Sequence, residues 1–403
     1  MSCFEIRTRD AGSYARTGTL TLTHGHVRTP AFVPLATKAV VKTLEVREAA
    51  ELGYDMVLGN TFHLYLTPGH DLIARLGGLH RFMGWERPVI TDSGGFQVFS
   101  MGHGAVADEI KGRGTGERAG SILAIEERGV TFRSYLDGSR RFLGPETSME
   151  IQGALGSDIA LVFDECTPFH GGRDYTARST ERTHRWLDRC LAWHADHGPE
   201  GQIVYGIVQG GVEEDLRRAS AQEVAARPVD GIAIGGTLGS DKAQMFEVVS
   251  WAVEELGEER PRHLLGIGEV DDLVRGVELG MDTFDCAMPT RLGRHGMAVV
   301  PDSAHRWRVD LTKARFRDAD EPVLDGCPCP ACAHGYTRAY LHYLLKAREQ
   351  TAQRLLTIHN LAYIERLMAA LRDAIDGARL AEAAAALRGG AAPWEAPVRG
   401  QTP

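Results

Sequence analysis

Three groups of residues in this 403-residue chain have the types and spacing that chemistry needs. Cys327, Cys329 and Cys332 place three soft sulfur ligands within six residues, and one more ligand closes a tetrahedral zinc site. His359 follows Cys332 by 27 positions, across one predicted helix that folds it back. His334 and His342 compete for that role, His334 only two residues past Cys332 and His342 inside the helical pattern. No open coordination position is implied, so the site reads as structural. Three reduced cysteines without a metal are the plainer alternative.

The second group surrounds Thr91-Asp92-Ser93-Gly94-Gly95-Phe96-Gln97. A carboxylate at a strand end is followed by two glycines, which let the backbone turn sharply and approach a ligand. The ring of Phe96 comes next, able to stack on a planar base. Asp164 and Gln209, with backbone groups of Gly235 and Gly236, supply the donors and acceptors that read the edge of a heterocycle. In the third group, Asp285 runs into Pro289-Thr290-Arg291-Leu292-Gly293-Arg294. A carboxylate beside arginines suits attack on a substrate held by its phosphates; a structural ion pair of Asp285 with Arg291 or Arg294 is the alternative.

These residues need a scaffold that brings strand ends together. Eight short apolar runs alternate with helical patterns: Ala31–Pro34, Met56–Gly59, Val89–Thr91, Ile159–Phe163, Ile203–Val208, Gly231–Ile234, His263–Ile267 and Thr283–Cys286. Continuous apolar strands separated by helices indicate parallel β/α units, and eight of them predict an α/β fold, a closed (β/α)8 TIM barrel. Asn60, Asp92, Asp164, Gln209, Gly235 and Asp285 all fall where runs stop, the face on which barrel active sites are built. Helix caps also favour Asp and Asn there, but so many polar strand ends exceed what capping needs.

The chain divides into an N-terminal antiparallel β cap (1–30), a catalytic barrel (31–320) with an insertion at 100–150, and a zinc-binding subdomain with C-terminal helices (321–387). The Gly/Pro/Ala-rich end (388–403) reads as a disordered tail. Within the insertion, Gly112–Arg118 reads as a flexible loop and Gly129–Gly138 as a strand and turn. Arg338 to about Leu387 reads as one long helical stretch.

Composition narrows the class. The chain is 43% apolar and 25% charged, ordinary for a soluble globular protein. No run approaches the ~18–20 apolar residues of a membrane span, and the first residues lack the apolar stretch of a signal peptide. Cys3, Cys166, Cys190 and Cys286 are scattered, which suits a reducing cytoplasm rather than a disulfide framework. The net charge is −9, yet residues 291–317 carry +5, a basic stripe able to hold a polyanion.

The stretches Asp92-Ser-Gly-Gly-Phe-Gln, Phe163-Asp-Glu-Cys, Gly206-Ile-Val-Gln-Gly-Gly and Phe284-Asp-Cys-Ala-Met-Pro-Thr-Arg-Leu-Gly-Arg, with the Cys-x-Cys-x-x-Cys cluster and its distant His, resemble the bacterial tRNA-guanine transglycosylases. The likeness spans roughly residues 4–375. It implies a barrel with a zinc subdomain, usually a homodimer, with one structural zinc ion per subunit. The implied reaction replaces guanine at the wobble position of GUN anticodons, in tRNAs for aspartate, asparagine, histidine and tyrosine, by a 7-deazaguanine base. By that resemblance Asp285 is the nucleophile and Asp92 the general acid/base. Asp92, Phe96, Asp164, Gln209, Gly235 and Gly236 bind the base, Arg291 and Arg294 contact tRNA, and Cys327, Cys329, Cys332 and His359 hold zinc.

Three departures stand out. Residues 33–42 differ from the family's glycine-containing first-strand segment, and the zinc spacing is one residue longer. Gly239 falls where bacterial members often carry Val, near the substituent on the base. The bacterial form usually takes 7-aminomethyl-7-deazaguanine; a small residue at 239 would admit queuine, leaving queuine salvage as an alternative. A non-catalytic tRNA-binding subunit and an unrelated barrel hydrolase with a catalytic metal are the rival classes. Retention of Asp92 and Asp285 opposes the first, and a ligand cluster outside the barrel runs opposes the second.

Overall fold

A computed structural model describes residues 3–102, 121–167 and 170–396. The chain starts with an antiparallel sheet of β1 (Phe4–Arg9), β2 (Arg16–Leu22) and β3 (Gly25–Thr29). It then enters the barrel through β4 (Ala31–Ala36), β5 (Val57–Gly59) and β6 (Val89–Thr91). A second antiparallel sheet interrupts it: β7 (Ile122–Glu126), β8 (Gly129–Arg133) and β9 (Arg140–Leu143). The barrel resumes with β10 (Ile159–Leu161), β11 (Ile203–Val208), β12 (Gly231–Ile234), β13 (Arg262–Leu264) and β14 (Thr283–Cys286).

All eight apolar runs are therefore strands of one closed parallel barrel. Every residue of β5, β6 and β10 is buried, as a strand covered by side chains within and helices without must be. Closure comes from β14 pairing with β4, Thr283 opposite Ala31 and Asp285 opposite Val33. On the other side of the gap left by the inserted sheet, Ile159 of β10 lies opposite Ile90 of β6.

The first sheet is tied to the base of the barrel by a buried fork. Arg16 donates from Nε and Nη2 to the two oxygens of Asp282, at 2.9 and 2.7 Å, one residue before β14 begins. The inserted sheet packs onto the barrel through Phe132, whose ring stands 5.3 Å from that of Phe62. The expected loop at 112–118 lies outside the described residues.

After a short hairpin of β15 (Met297–Val299) and β16 (Arg308–Asp310), three helices follow instead of one long stretch: Arg338–Lys346, Gln350–Asp376 and Leu380–Gly389. The breaks fall where Arg348 (φ 61°) and Ala378 (φ 54°) take left-handed backbone, which a helix cannot accommodate. The tail expected from 388 onward is, up to 396, part of the fold. Ala392 and Ala396 are buried, and the Trp394 ring meets Tyr363 at 6.2 Å. This stretch is anchored by Trp394 rather than frayed; 397–403 lie outside the described residues. No helix among the described residues is long and apolar enough to cross a membrane.

Candidate active site

Asp92 leaves the end of β6 and is gripped by the start of the helix Thr61–Leu66. The Thr61 N–H donates to its Oδ1 at 2.8 Å and the Asn60 amide to its Oδ2 at 2.5 Å. Asn60 is itself fixed as the cap of that helix, accepting from the His63 N–H at 2.9 Å. Burial lifts the Asp92 carboxyl to about 7; the Thr61 N–H pulls it down, and the charge of Asp285 adds to the lift. Asp92 and Asp285, expected to serve one site, thus act on each other across the mouth.

Asp285 is buried on β14. Its Oδ1 receives the His263 ring at Nε2 and the Gly266 N–H, both at 3.1 Å. Among the described residues neither Arg291 nor Arg294 pairs with it, so the structural ion pair is not formed. Both arginines sit on the helix Met288–Arg294 that follows β14, Arg291 exposed and Arg294 half-buried, donating to Thr290 at 3.0 Å.

Asp164 and Gln209 form the opposite wall. The Gln209 amide donates to Asp164 Oδ2 at 2.6 Å, and the Ser93 hydroxyl to Oδ1 at 2.9 Å. Burial raises the Asp164 carboxyl to about 6 against these two hydrogen bonds. Gln209 is fully buried, yet its Oε1 has no hydrogen-bond partner among the described residues. An orphaned buried acceptor costs about 1–3 kcal/mol, which a ligand donor would recover.

Two glycines make this wall possible. A Cβ at Gly95 would stand 2.6 Å from the Asp164 carbonyl. At Gly236 (φ +76°) a Cβ would overlap Gln209 Oε1. Phe96, next to Gly95, is 43% exposed, a ring open to solvent at the mouth rather than a core residue.

Arg217 was not anticipated from the sequence. It is fully buried beneath the wall, and among the described residues no carboxylate pairs with it. Its five hydrogen bonds go to the carbonyls of Val208, Gly211, Gly235 and Thr237, at 2.7–3.2 Å. It stitches the ends of β11 and β12 together and so holds Gln209 and Gly235 in register. In the sequence it looks like any arginine on an amphipathic helix. His263, inside an apolar run, likewise gave no signal beyond its type.

Lys38 and Lys42 were also missed, although both fall in the atypical segment 33–42, past the end of β4. Burial lowers Lys42, and the positive charges of Arg294 and Lys38 lower it further. The two lysines, after burial, also help to lower His63 to about 4. The basic rim therefore continues from Arg294 onto the β4 loop. Further along the expected stripe, Arg306 and Arg308 are spent on Glu269 at 2.6 and 2.7 Å, and Lys313 on Asp310 at 3.3 Å.

The cysteine cluster lies beside the barrel. His359 Nδ1 stands 3.7, 3.5 and 3.5 Å from the sulfurs of Cys327, Cys329 and Cys332. Metal bonds of about 2.3 Å to sulfur and 2.0–2.1 Å to nitrogen, at tetrahedral angles, give a nitrogen–sulfur edge of roughly 3.5 Å. His359 Nε2 faces the Val299 carbonyl at 2.8 Å, which places the proton there and leaves Nδ1 free to ligate. The residues form a buried Cys3His group at metal-holding distance. His342 instead faces the Leu311 carbonyl at 2.7 Å, so it is not a competitor, and His334 is outside the group.

Buried or nearly buried carboxyl groups, Asp92 gripped by Thr61 and Asn60 and Asp285 held by His263 and Gly266, thus gather with Asp164 and Gln209 at the strand ends of a closed (β/α)8 barrel, where enzymes of this fold class carry their sites. The family model described as Queuine tRNA-ribosyltransferase matches residues 10–389. A protein of that name from Roseiflexus sp. (strain RS-1) is 49% identical over 388 residues, covering 94% of this chain and 97% of that protein. Proteins of the same name from Symbiobacterium thermophilum and Pelotomaculum thermopropionicum are 46% and 45% identical, each across 94% of this chain and across 89% and 95% of their own lengths. The chain belongs to this family, that of the tRNA-guanine transglycosylases, and is a pentosyltransferase.

Proposed function

We propose that this chain exchanges guanine at the wobble position of GUN-anticodon tRNAs for 7-aminomethyl-7-deazaguanine, by two displacements at one ribose. The observation that carries this is a pair of buried or nearly buried carboxyls at strand ends of one barrel, Asp92 held by Thr61 and Asn60 and Asp285 held by His263 and Gly266, with burial lifting Asp92 to about 7. An Asp285 oxygen attacks C1′ as the bond from C1′ to guanine N9 breaks, and the Asp92 carboxyl gives its proton to the departing base. The incoming base then loses its N9 proton to Asp92 and attacks C1′, and the Asp285 carboxylate leaves. Two inversions restore the original configuration, as in retaining glycosidases, and no ATP is needed.

The target nucleotide must leave the anticodon stack to reach the slot. There the Asp164 oxygens accept from the N–H groups of the guanine edge, and the Gln209 amide offers a donor for O6. Phe96 covers the face of the base. Arg291 and Arg294 hold flanking phosphates.

Zinc fits the Cys3His group, because three thiolates and one imidazole in a closed tetrahedron are its preferred structural donors. It would supply a fixed crosslink, remote from the exchange. A homodimer is supported by an exposed tyrosine stripe on and beside the helix Arg338–Lys346. Tyr340 and Tyr343 are 42% and 64% exposed, and Tyr336 stacks on Tyr340 at 5.8 Å. A cytoplasmic setting fits the reduced cysteine ligands.

Queuine as the incoming base rested on Gly239. A Cβ at Gly239 (φ +115°) would stand 2.9 Å from Gln244 Cγ, so Gln244 already occupies the space that a side chain there would take. The test is exchange of labelled guanine out of an unmodified anticodon stem-loop, with guanine, 7-aminomethyl-7-deazaguanine and queuine in competition. Release driven by the aminomethyl base supports the proposal; no release with any base contradicts it, and preference for queuine overturns the choice of base.

A further inference from the structure

We infer that His263 is a positioning residue that assigns different tasks to the two oxygens of Asp285. This rests on the reading of Asp285 as nucleophile. Thr283 and Asp285 lie two residues apart and so on one face of β14, and His263 of β13 is opposite Thr283 in the parallel register. The fully buried imidazole thereby reaches both, with Nδ1 2.8 Å from Thr283 Oγ1 and Nε2 3.1 Å from Asp285 Oδ1.

A carboxylate oxygen accepts, so the ring nitrogen facing it carries the proton. The neutral ring then accepts the Thr283 hydroxyl proton at Nδ1, which locks that tautomer. Gly266 adds a second donor to the same oxygen at 3.1 Å. Among the described residues no hydrogen bond reaches Oδ2.

Oδ1 is therefore held and Oδ2 is free to form the bond to C1′. In the ribosyl ester Oδ1 becomes the carbonyl oxygen and keeps both donors. When the incoming base displaces the ester, the electron pair of the Oδ2–C1′ bond returns to a carboxylate whose charge those donors already face. No proton leaves His263 in either step. The ring orients the nucleophile and steadies it as a leaving group.

The experiment compares wild type with His263→Phe, His263→Gln and Thr283→Val. It measures steady-state exchange into an anticodon stem-loop, the single-turnover rate of covalent adduct formation, and the melting midpoint. Loss of one aimed donor typically costs about 100-fold, so His263→Phe is expected to slow adduct formation and kcat by roughly 10–100-fold with KM nearly unchanged. His263→Gln, which can present an N–H near Nε2, should recover most of that loss. Thr283→Val, which keeps the ring and loses the lock, should fall in between; it decides the matter if the Phe variant does not fold.

Wild-type adduct rates in Phe and Val variants overturn the inference. So does equal slowing by Phe and Gln, which would mark a space-filling role, or a rise confined to KM. Persistence of the adduct in Asp285→Asn would instead overturn the parent reading, so the two failures are distinguishable.

Discussion

Asp92 and Asp285 are electrostatically coupled: after burial, the Asp285 charge is the other influence that lifts the Asp92 carboxyl to about 7. Near neutral pH that carboxyl is divided between acid and base forms, as a group that first gives and then takes a proton must be. The exchange rate should therefore change through a limb near pH 7.

The same shift has a consequence for stability. A carboxyl raised on folding stabilises the protein while protonated in both states, below about pH 4, and that contribution is lost as pH rises through about 7. Asp92→Asn carries no such titration. Its melting midpoint should gain on wild type between pH 5 and pH 8, and a gap that is constant with pH would contradict the shift.

Arg217→Lys should destabilise the protein by about 2–4 kcal/mol, since one ammonium cannot serve four carbonyls arranged around a planar fork. KM for guanine should rise as Gln209 and Gly235 lose their register. Denaturant unfolding and base kinetics check both; a change below ~0.5 kcal/mol would show that water replaces the guanidinium.

Arg291→Ala and Arg294→Ala should each weaken stem-loop binding and reduce the slope of log affinity against log salt by about one. Titrations at several salt concentrations measure this. An unchanged slope would place both arginines away from phosphate.

His359 of the Cys3His group is followed on its helix by Asn360, whose amide holds the Pro289 carbonyl at 3.0 Å and whose oxygen accepts from the Val299 N–H at 2.7 Å. A metal held by the group would therefore steady the helix that carries Arg291 and Arg294. Cys332→Ser should lose its metal by elemental analysis, melt at lower temperature, and bind stem-loop more weakly. Full metal content in that variant would contradict the ligand assignment.

Much of this was legible because it depends on local pattern. Apolar runs such as Val89–Thr91 can only be strands buried on both faces, and the polar residues ending them must share one rim. The cysteine spacing announced its own site. What stayed hidden depends on which strands become neighbours. His263 matters only because β13 lies in register beside β14, and Arg217 only because β11 and β12 end at one height. Likewise, the basic stripe overcounted its free charge, because Glu269 is distant in sequence from Arg306 and Arg308. The tail misled because Trp394 packs its ring against Tyr363, distant in sequence, and Ala392 and Ala396 are buried with it rather than left in water.

The most direct test of the central claim is the covalent enzyme–tRNA species. Incubating the chain with an anticodon stem-loop and separating the products under denaturing conditions should show an adduct in wild type, discharged by added base. Asp285→Asn should show none. An adduct that survives in Asp285→Asn, or its absence in an actively exchanging wild type, would contradict attack by Asp285.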